Sequence, residues 1–394
     1  MTIAAPAPRV TPEFRASTYY FTQFMAGGAA VVFLPIWLTA KDITPEEIGI
    51  INALPMLVML MINLLVGRIA DKASDWRQVI VIGSLLAAAV PIGLFFVNDF
   101  WGILLIWTLT SVPGGAVVSV ADAATLRMTR RNGTDFGTIR AWGTLGYMIF
   151  NVTTGFLVTW YGAAAFVPLF VGLSMLRAAA SLWLPRFRAP TTEPTLAAAA
   201  PAPRRLLEVM KPWFLLPLIG FAMVVGTHFI LNGFAALVWK EQGIDEAIIG
   251  PLFALGSVSE AVMMFAWKRF NGRVTARHLI LAAALFTAAR WAAMAFSPPV
   301  WALVLLQATH GICYAIGYLG CMHFIANWTS EDIAAEAQGW FTTLQQVMSV
   351  LALVSFGWIF AQMGPQAFLV ASGCAFLGAL GIWASLKMQQ PKAG

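Results

Sequence analysis

Charged residues are so sparse along this chain that its apolar runs define it. Cut at charged clusters and at Pro or Gly turns, the sequence yields runs near residues 16–40, 47–67, 78–98, 100–126, 139–161 and 164–184, then near 212–239, 247–267, 279–297, 300–327, 336–362 and 366–386. Each is close to the roughly 20 residues that a helix needs to cross about 30 Å of hydrocarbon. Inside lipid a backbone amide must find its partner within its own helix, so helices are the expected elements. The pattern predicts an all-α membrane protein with twelve transmembrane helices.

Between the sixth and seventh runs, Pro185 to Lys211 holds Pro190, Pro194, Pro201 and Pro203 and four consecutive alanines, too little side-chain surface to order a domain. The segmentation is a six-helix N-terminal bundle over 1–188, a linker over 189–210 and a six-helix C-terminal bundle over 211–394. The halves repeat. A shift of 201 residues aligns Ile48, Gly49, Ala53 and Leu54 with Ile249, Gly250, Ala254 and Leu255. A shift of 198 aligns Trp142 and Thr144 with Trp340 and Thr342, and one of 202 aligns Gly162 and Phe166 with Gly364 and Phe368. Identities in the same order in both halves imply a parallel, pseudo-symmetric repeat.

Composition agrees: 59% of the 394 residues are hydrophobic and 11% charged, against about 25% charged in ordinary soluble domains. The net charge of +6 first suggests a nucleic-acid partner, but the distribution of the basic residues excludes that reading. Of the 24 Lys and Arg, Arg140, Arg177 and Arg290 fall inside runs, Lys41 and Lys240 precede even-numbered helices, and all the others fall on one side. By the positive-inside rule both termini are cytoplasmic. Met1 to Thr18 has no signal-peptide core with a cleavage site, so the first helix is expected to be retained. Cys313, Cys321 and Cys374 lie in apolar runs without CxxC spacing and read as packing residues, with no metal or cofactor implied.

Two polar stripes interrupt the apolar pattern. On helix 5, Arg140, Thr144, Tyr147, Asn151 and Thr154 are spaced 4, 3, 4 and 3; on helix 11, Gln338, Thr342, Gln345 and Ser349 are spaced 4, 3 and 4. Such faces avoid lipid, and the two are expected to line a water-filled cavity that binds solute, the alternative being interhelical hydrogen bonding. His228 and Asn232 share a face of helix 7, and His310, Tyr314 and Tyr318 a face of helix 10.

Ionisable residues at membrane depth cost about 2.5–3.5 kcal/mol on insertion scales and default to functional hypotheses. Counting inward at 1.5 Å per residue puts Glu260 roughly 21 Å, Arg290 roughly 12 Å and His310 roughly 18 Å below one face. These depths let the three meet. A carboxylate whose cationic partner comes and goes can take up and release a proton, so they are the candidate proton-coupling residues; a structural ion pair is the alternative. Asp122 and Arg140 form a second candidate pair, although counting alone leaves open that both snorkel to water.

Gly67, Arg68, Ile69, Ala70, Asp71 and Lys72 resemble the GxxxD(R/K) loop signature of the major facilitator superfamily, a conformational switch built on Gly67, Asp71 and Lys72. Ile43–Gly49 and the set Phe136, Gly137, Arg140, Trp142 and Gly143 resemble the branch that holds the 3-phenylpropionate permeases and, more distantly, lactose permease. That resemblance covers nearly the whole chain. It implies a monomeric proton symporter of a bacterial inner membrane, working by alternating access. It places a solute clamp on Asp122 and Arg140 and a proton site on Glu260, Arg290 and His310. The family's carboxylate one turn after this histidine is replaced by Cys313, so the resemblance leaves the proton role to Glu260.

Other classes fit less well. No HExxH or paired Asp-rich motif supports an enzyme, and no GxxxxGK(S/T) loop supports an ATP-driven pump. Helix 5 lacks the proline expected of a drug exporter. Arg140 and Arg290 with Trp142, Tyr147, Trp291 and Tyr314 suit an aromatic acid, and would also suit a sugar or nucleoside.

Overall fold

A computed structural model describes residues 10–187, 209–267, 273–329 and 331–388. Among them are twelve helices in chain order: α1 (Pro12–Thr39), α2 (Pro45–Lys72), α3 (Trp76–Ala89, extended by a 3-10 turn over Val90–Phe95), α4 (Phe100–Asn132), α5 (Phe136–Tyr161) and α6 (Phe166–Leu182). There follow α7 (Pro212–Glu241), α8 (Glu246–Ala266), α9 (Ala276–Met294), α10, α11 (Glu331–Met363) and α12 (Ala367–Leu386). The tenth is broken: Val300–Ala308 and Gly317–Trp328 flank a π-helical stretch over Gly311–Ile316. Among the described residues, nine stretches are long and apolar enough to cross a bilayer, and the last, Glu336–Leu386, covers two helices in succession.

The sequence sets where helices start. Asp75, Asp99, Asp135 and Asp245 stand at N-caps, and each carboxylate accepts from a backbone amide of the first turn. Asp135 accepts from both the Thr138 amide at 2.8 Å and the Thr138 hydroxyl at 2.9 Å, which hold its carboxyl below the usual carboxylate range. At the head of α2, the Glu47 carboxylate accepts from the Thr44 amide at 2.9 Å and the Thr44 hydroxyl from the Glu47 amide at 3.4 Å, a capping box.

The internal repeat recurs as local structure. Gly162 and Gly364 both end a helix with positive φ, 75° and 56°. Each is followed by a short 3-10 turn and by a phenylalanine, Phe166 or Phe368, with no solvent exposure. Glycine is the residue that enters this backbone region without a Cβ penalty.

The chain folds into two compact units, one made of Met1–Leu34 with Met61–Pro194, the other of Pro35–Leu60 with Thr195–Gly394. Within the second unit two stretches of backbone approach closely. A β-carbon at Gly49 would stand 2.6 Å from the Leu353 carbonyl oxygen, and one at Gly357 would stand 2.6 Å from that of Pro45. Residues 189–208 of the linker lie outside the described residues, as do the side-chain surroundings of Gly67 and Asp71; Lys72 ends α2 and is exposed.

Within the first unit, α1 and α5 pack backbone to backbone. A β-carbon added at Gly28 would overlap the Tyr147 carbonyl, and one at Gly146 the Phe21 carbonyl. This approach sets the height of Arg140 and of the α5 stripe against α1. Gly146→Leu is expected to destabilise the protein by about 1–3 kcal/mol through overpacking. A lowered melting temperature in detergent would show it, whereas an unchanged one would mean that the two helices separate without cost.

Candidate functional site

The second unit assembles a continuous polar cluster from α7, α8, α9 and α10. Arg290 on α9 is 2% exposed. Its Nη1 donates to His310 Nδ1 at 3.0 Å, and its Nη2 donates to Gln307 Oε1. Gln307 Nε2 in turn donates to the Leu252 carbonyl of α8 at 2.9 Å. On the far side of the imidazole, His310 Nε2 lies 3.8 Å from Glu260 Oε2, with the two side chains 16% and 29% exposed. The sequence-predicted trio therefore stands together, in the order Arg290, His310, Glu260.

This order dictates protonation. Arginine has only donors, so the His310 nitrogen that faces it must accept. The neutral imidazole then carries its hydrogen on Nε2, directed at the glutamate. A second proton on His310 would sit on Nδ1, against Arg290, and would break that bond while placing two cations side by side. Glu260 is the group of the three that can change charge with the geometry intact.

Aromatic rings enclose the cluster. His310, Tyr314 and Tyr318 form a ladder of nearly parallel rings, 5.8 Å and 6.2 Å apart. His228 is buried, with Trp291, His310 and Tyr314 ring centroids at 5.3, 5.3 and 5.5 Å. Its Nδ1 is 2.9 Å from the Val224 carbonyl one turn back, and Asn232, one turn on, is half-buried. The Trp291 indole donates to Thr227 at 2.8 Å and lies against the Arg290 guanidinium, 4.8 Å from ring centroid to carbon.

The break in α10 has an identifiable cause. Ser259, the residue before Glu260, donates its hydroxyl to the Ala308 carbonyl and accepts from the Gly311 amide at 2.9 Å. In a regular α-helix that carbonyl and that amide would each bond within α10. One foreign hydroxyl replaces both bonds and pins α8 to α10 between Glu260 and His310. π-helical stretches recur at functional sites, and Tyr314 of the ring ladder lies within this one. On α11, Gln338 and Thr342 are exposed and Gln345 is half-buried; the Thr342 and Ser349 hydroxyls bond back to the Gln338 and Gln345 carbonyls at 3.0 and 2.7 Å.

The first unit holds the second candidate pair. Arg140 Nε is 3.5 Å from Asp122 Oδ1, with side chains 31% and 38% exposed. Tyr20 of α1 donates to the same carboxylate oxygen at 2.6 Å. The guanidinium carbon lies 4.1 Å from the Phe24 ring centroid and 5.5 Å from that of Tyr20. Along the α5 stripe, Thr144 is exposed, Tyr147 half-buried, and Asn151 and Thr154 fully enclosed. Deeper in this unit, buried Arg177 donates to the Ala87 carbonyl at 2.7 Å.

Sequence reading missed Gln307, Ser259 and Tyr20. Gln307 had a legible signal, a lone amide in an apolar run three residues before His310; Ser259 and Tyr20 had none beyond adjacency to charged or polar neighbours.

Helices of this length and apolarity, with ionisable clusters held inside the helical units, define a multi-pass membrane transporter. The chain matches the MFS_1 like family over residues 14–377, and it belongs to that family, within the major facilitator superfamily. It is 25% identical over 89% of its length to a probable 3-phenylpropionic acid transporter of Escherichia coli (strain K12), covering 92% of that protein. It is 29% identical over 81% of its length to a maltose permease of Geobacillus stearothermophilus, covering 80% of it. Among solved structures, the nucleoside transporter NupG superposes with a TM-score of 0.83 at 17% identity, over 96% of this chain and 100% of that one. A bacterial homolog of the human lysosomal transporter Spinster, in an inward-facing and unoccupied conformation, gives 0.76 at 14% identity, over 97% and 98% of the two chains. The protein is a transporter of small solutes and not an enzyme.

Ser259→Ala leaves the Ala308 carbonyl and the Gly311 amide without this partner and is expected to cost about 1–3 kcal/mol. Thermal unfolding of the purified protein measures the loss, and Ser259→Thr, which keeps the hydroxyl, is expected to recover most of it. Equal stability of Ser259→Ala and the parent would remove the hydroxyl from the account of the α10 break.

Proposed function

We propose that this protein is a proton-coupled symporter that takes up a small organic solute in an alternating-access cycle, with Glu260 as the proton-carrying group. The geometry of His310 carries the reading: Arg290 occupies Nδ1, so Nε2–H faces Glu260 at 3.8 Å and the carboxylate is left to change protonation. Proton arrival at Glu260 removes its attraction for the His310 and Arg290 pair, which is how one proton biases the packing of α8 against α9 and α10.

The solute is an aromatic acid such as 3-phenylpropionate. Arg140 presents a partly exposed guanidinium over two aromatic rings of α1, a setting for a carboxylate attached to a ring, and the probable 3-phenylpropionic acid transporter is similar over 89% of this chain. Thr144 and Tyr147, on the accessible part of the same α5 stripe, are proposed to add polar contacts beside Arg140. A neutral sugar is the second reading, favoured by similarity to maltose permease and by the engagement of Arg290 with Gln307 and His310. The protein is assigned to a bacterial inner membrane as a monomer, with both termini cytoplasmic, the side that collects the Lys and Arg outside the runs other than Lys41 and Lys240.

Proteoliposomes given 3-phenylpropionate, maltose or a nucleoside in turn test this directly. External alkalinisation on adding one solute identifies both coupling and substrate; silence with all three would contradict uptake by symport of these classes. Glu260→Gln is expected to lose uphill accumulation and keep solute exchange, and uphill transport in that variant would overturn the proton role. Arg140→Ala is expected to weaken binding of a carboxylate solute by about 1.5–3 kcal/mol, roughly ten- to hundredfold, with unchanged affinity placing the solute elsewhere.

A further inference from the structure

Far along the second unit from the Glu260 cluster, where α9 begins and α10 and α12 end, lies a cavity of about 560 Å³. Arg273, Arg277 and His278 line one wall, Thr275 and Asn327 add polar groups, and Phe324, Trp328 and Leu386 form the other wall. No carboxylate is among the described residues that line it. The transport mechanism proposed for Glu260 and Arg140 uses none of these residues.

Three features make this wall more than a scatter of surface cations. The Arg277 Nη1 donates to the Ser385 carbonyl of α12, which holds the guanidinium in place. The Thr275 hydroxyl is 2.6 Å from His278 Nδ1, which fixes that ring and leaves the head of α9 without a side-chain cap, its amide dipoles directed outward. The apolar wall is rigid, since Trp328 meets Trp213 edge-on at 4.9 Å and Phe324 stacks on Phe214 at 5.4 Å. Tryptophans in such a cluster mark the headgroup level of a bilayer.

We infer that this cavity binds a phosphate-bearing anion, supplied in the membrane by the headgroup of an anionic phospholipid. The two arginines and His278 match the phosphate, while Phe324, Trp328 and Leu386 match the glycerol and first methylenes, a division that an amphiphile satisfies and a soluble ion does not. Basic pockets between membrane helices take anionic headgroups for this reason. A bound headgroup would cross-link α9, α10 and α12 at their ends.

Thermal unfolding of the full-length protein in a neutral detergent, with added phosphatidylglycerol, phosphatidylcholine or inorganic phosphate, tests the site. Phosphatidylglycerol is expected to raise the melting temperature saturably and phosphatidylcholine to do so far less. Arg273→Glu, at an exposed position, is expected to leave the lipid-free melting temperature unchanged and to weaken the phosphatidylglycerol effect by about thirtyfold, the equivalent of about 1 kcal/mol for each of the two charges changed. Arg273→Lys should retain most of the effect. Full stabilisation by inorganic phosphate alone, lost in Arg273→Glu, would support the phosphate site with a soluble ion as its source. Equal stabilisation by both lipids, or an undiminished effect in Arg273→Glu, would overturn the inference.

Discussion

A guanidinium almost without solvent access has to be compensated from within the protein, and the pairing of Arg290 organises the second unit. Losing one partner of a buried charge costs about 3–5 kcal/mol, so the acceptors around Arg290 are not interchangeable. Gln307 ties it to the α8 backbone, and His310 ties it toward Glu260. Trp291 packs against its face, and the indole is itself held by Thr227 of α7. Four helices are therefore fastened to one charge. The same pairing fixes the His310 tautomer and, in the proposed cycle, leaves Glu260 as the group that takes up the proton.

In the proposed cycle such a cluster serves transport because it is linked from α8 through α9 to α10 yet bistable at one end. With Glu260 ionised, His310 is held from both sides; with Glu260 protonated, the pull toward α8 weakens while the Arg290 bond persists. The Ser259 hydroxyl keeps α8 and α10 in register beside this change. The first unit has a simpler version: Asp122 and Arg140 meet at 3.5 Å, with Tyr20 sharing the carboxylate. Both of its charges are partly solvated, so this pair is worth less to stability and is more open to exchange with a solute.

Much of this was legible because membrane helices make polar residues conspicuous. Glu260, Arg290 and His310 stand out as costly ions in apolar runs, and rise per residue suffices to put them at compatible depths. The repeat is visible in Gly162 and Gly364 because a left-handed turn constrains residue type. Gln307 and Ser259 are less visible, since a neutral amide or hydroxyl in a membrane helix has many routine uses. No proline lies between Val300 and Trp328 to announce the π-helical stretch; its cause is a hydroxyl on another helix. Likewise the close backbone approach at Gly49 and Gly357 within the second unit is a matter of packing that hydropathy does not encode.

In the proposed cycle the titrating group is a single carboxyl, Glu260, with His310 neutral beside it. Infrared difference spectra of the reconstituted protein, recorded across a pH titration, report protonation of carboxyl groups inside the membrane directly. A carboxylic-acid carbonyl band is expected to appear as pH falls in the parent and to be absent in Glu260→Gln. The same band in both proteins, or an imidazolium signal from His310 in its place, would contradict it.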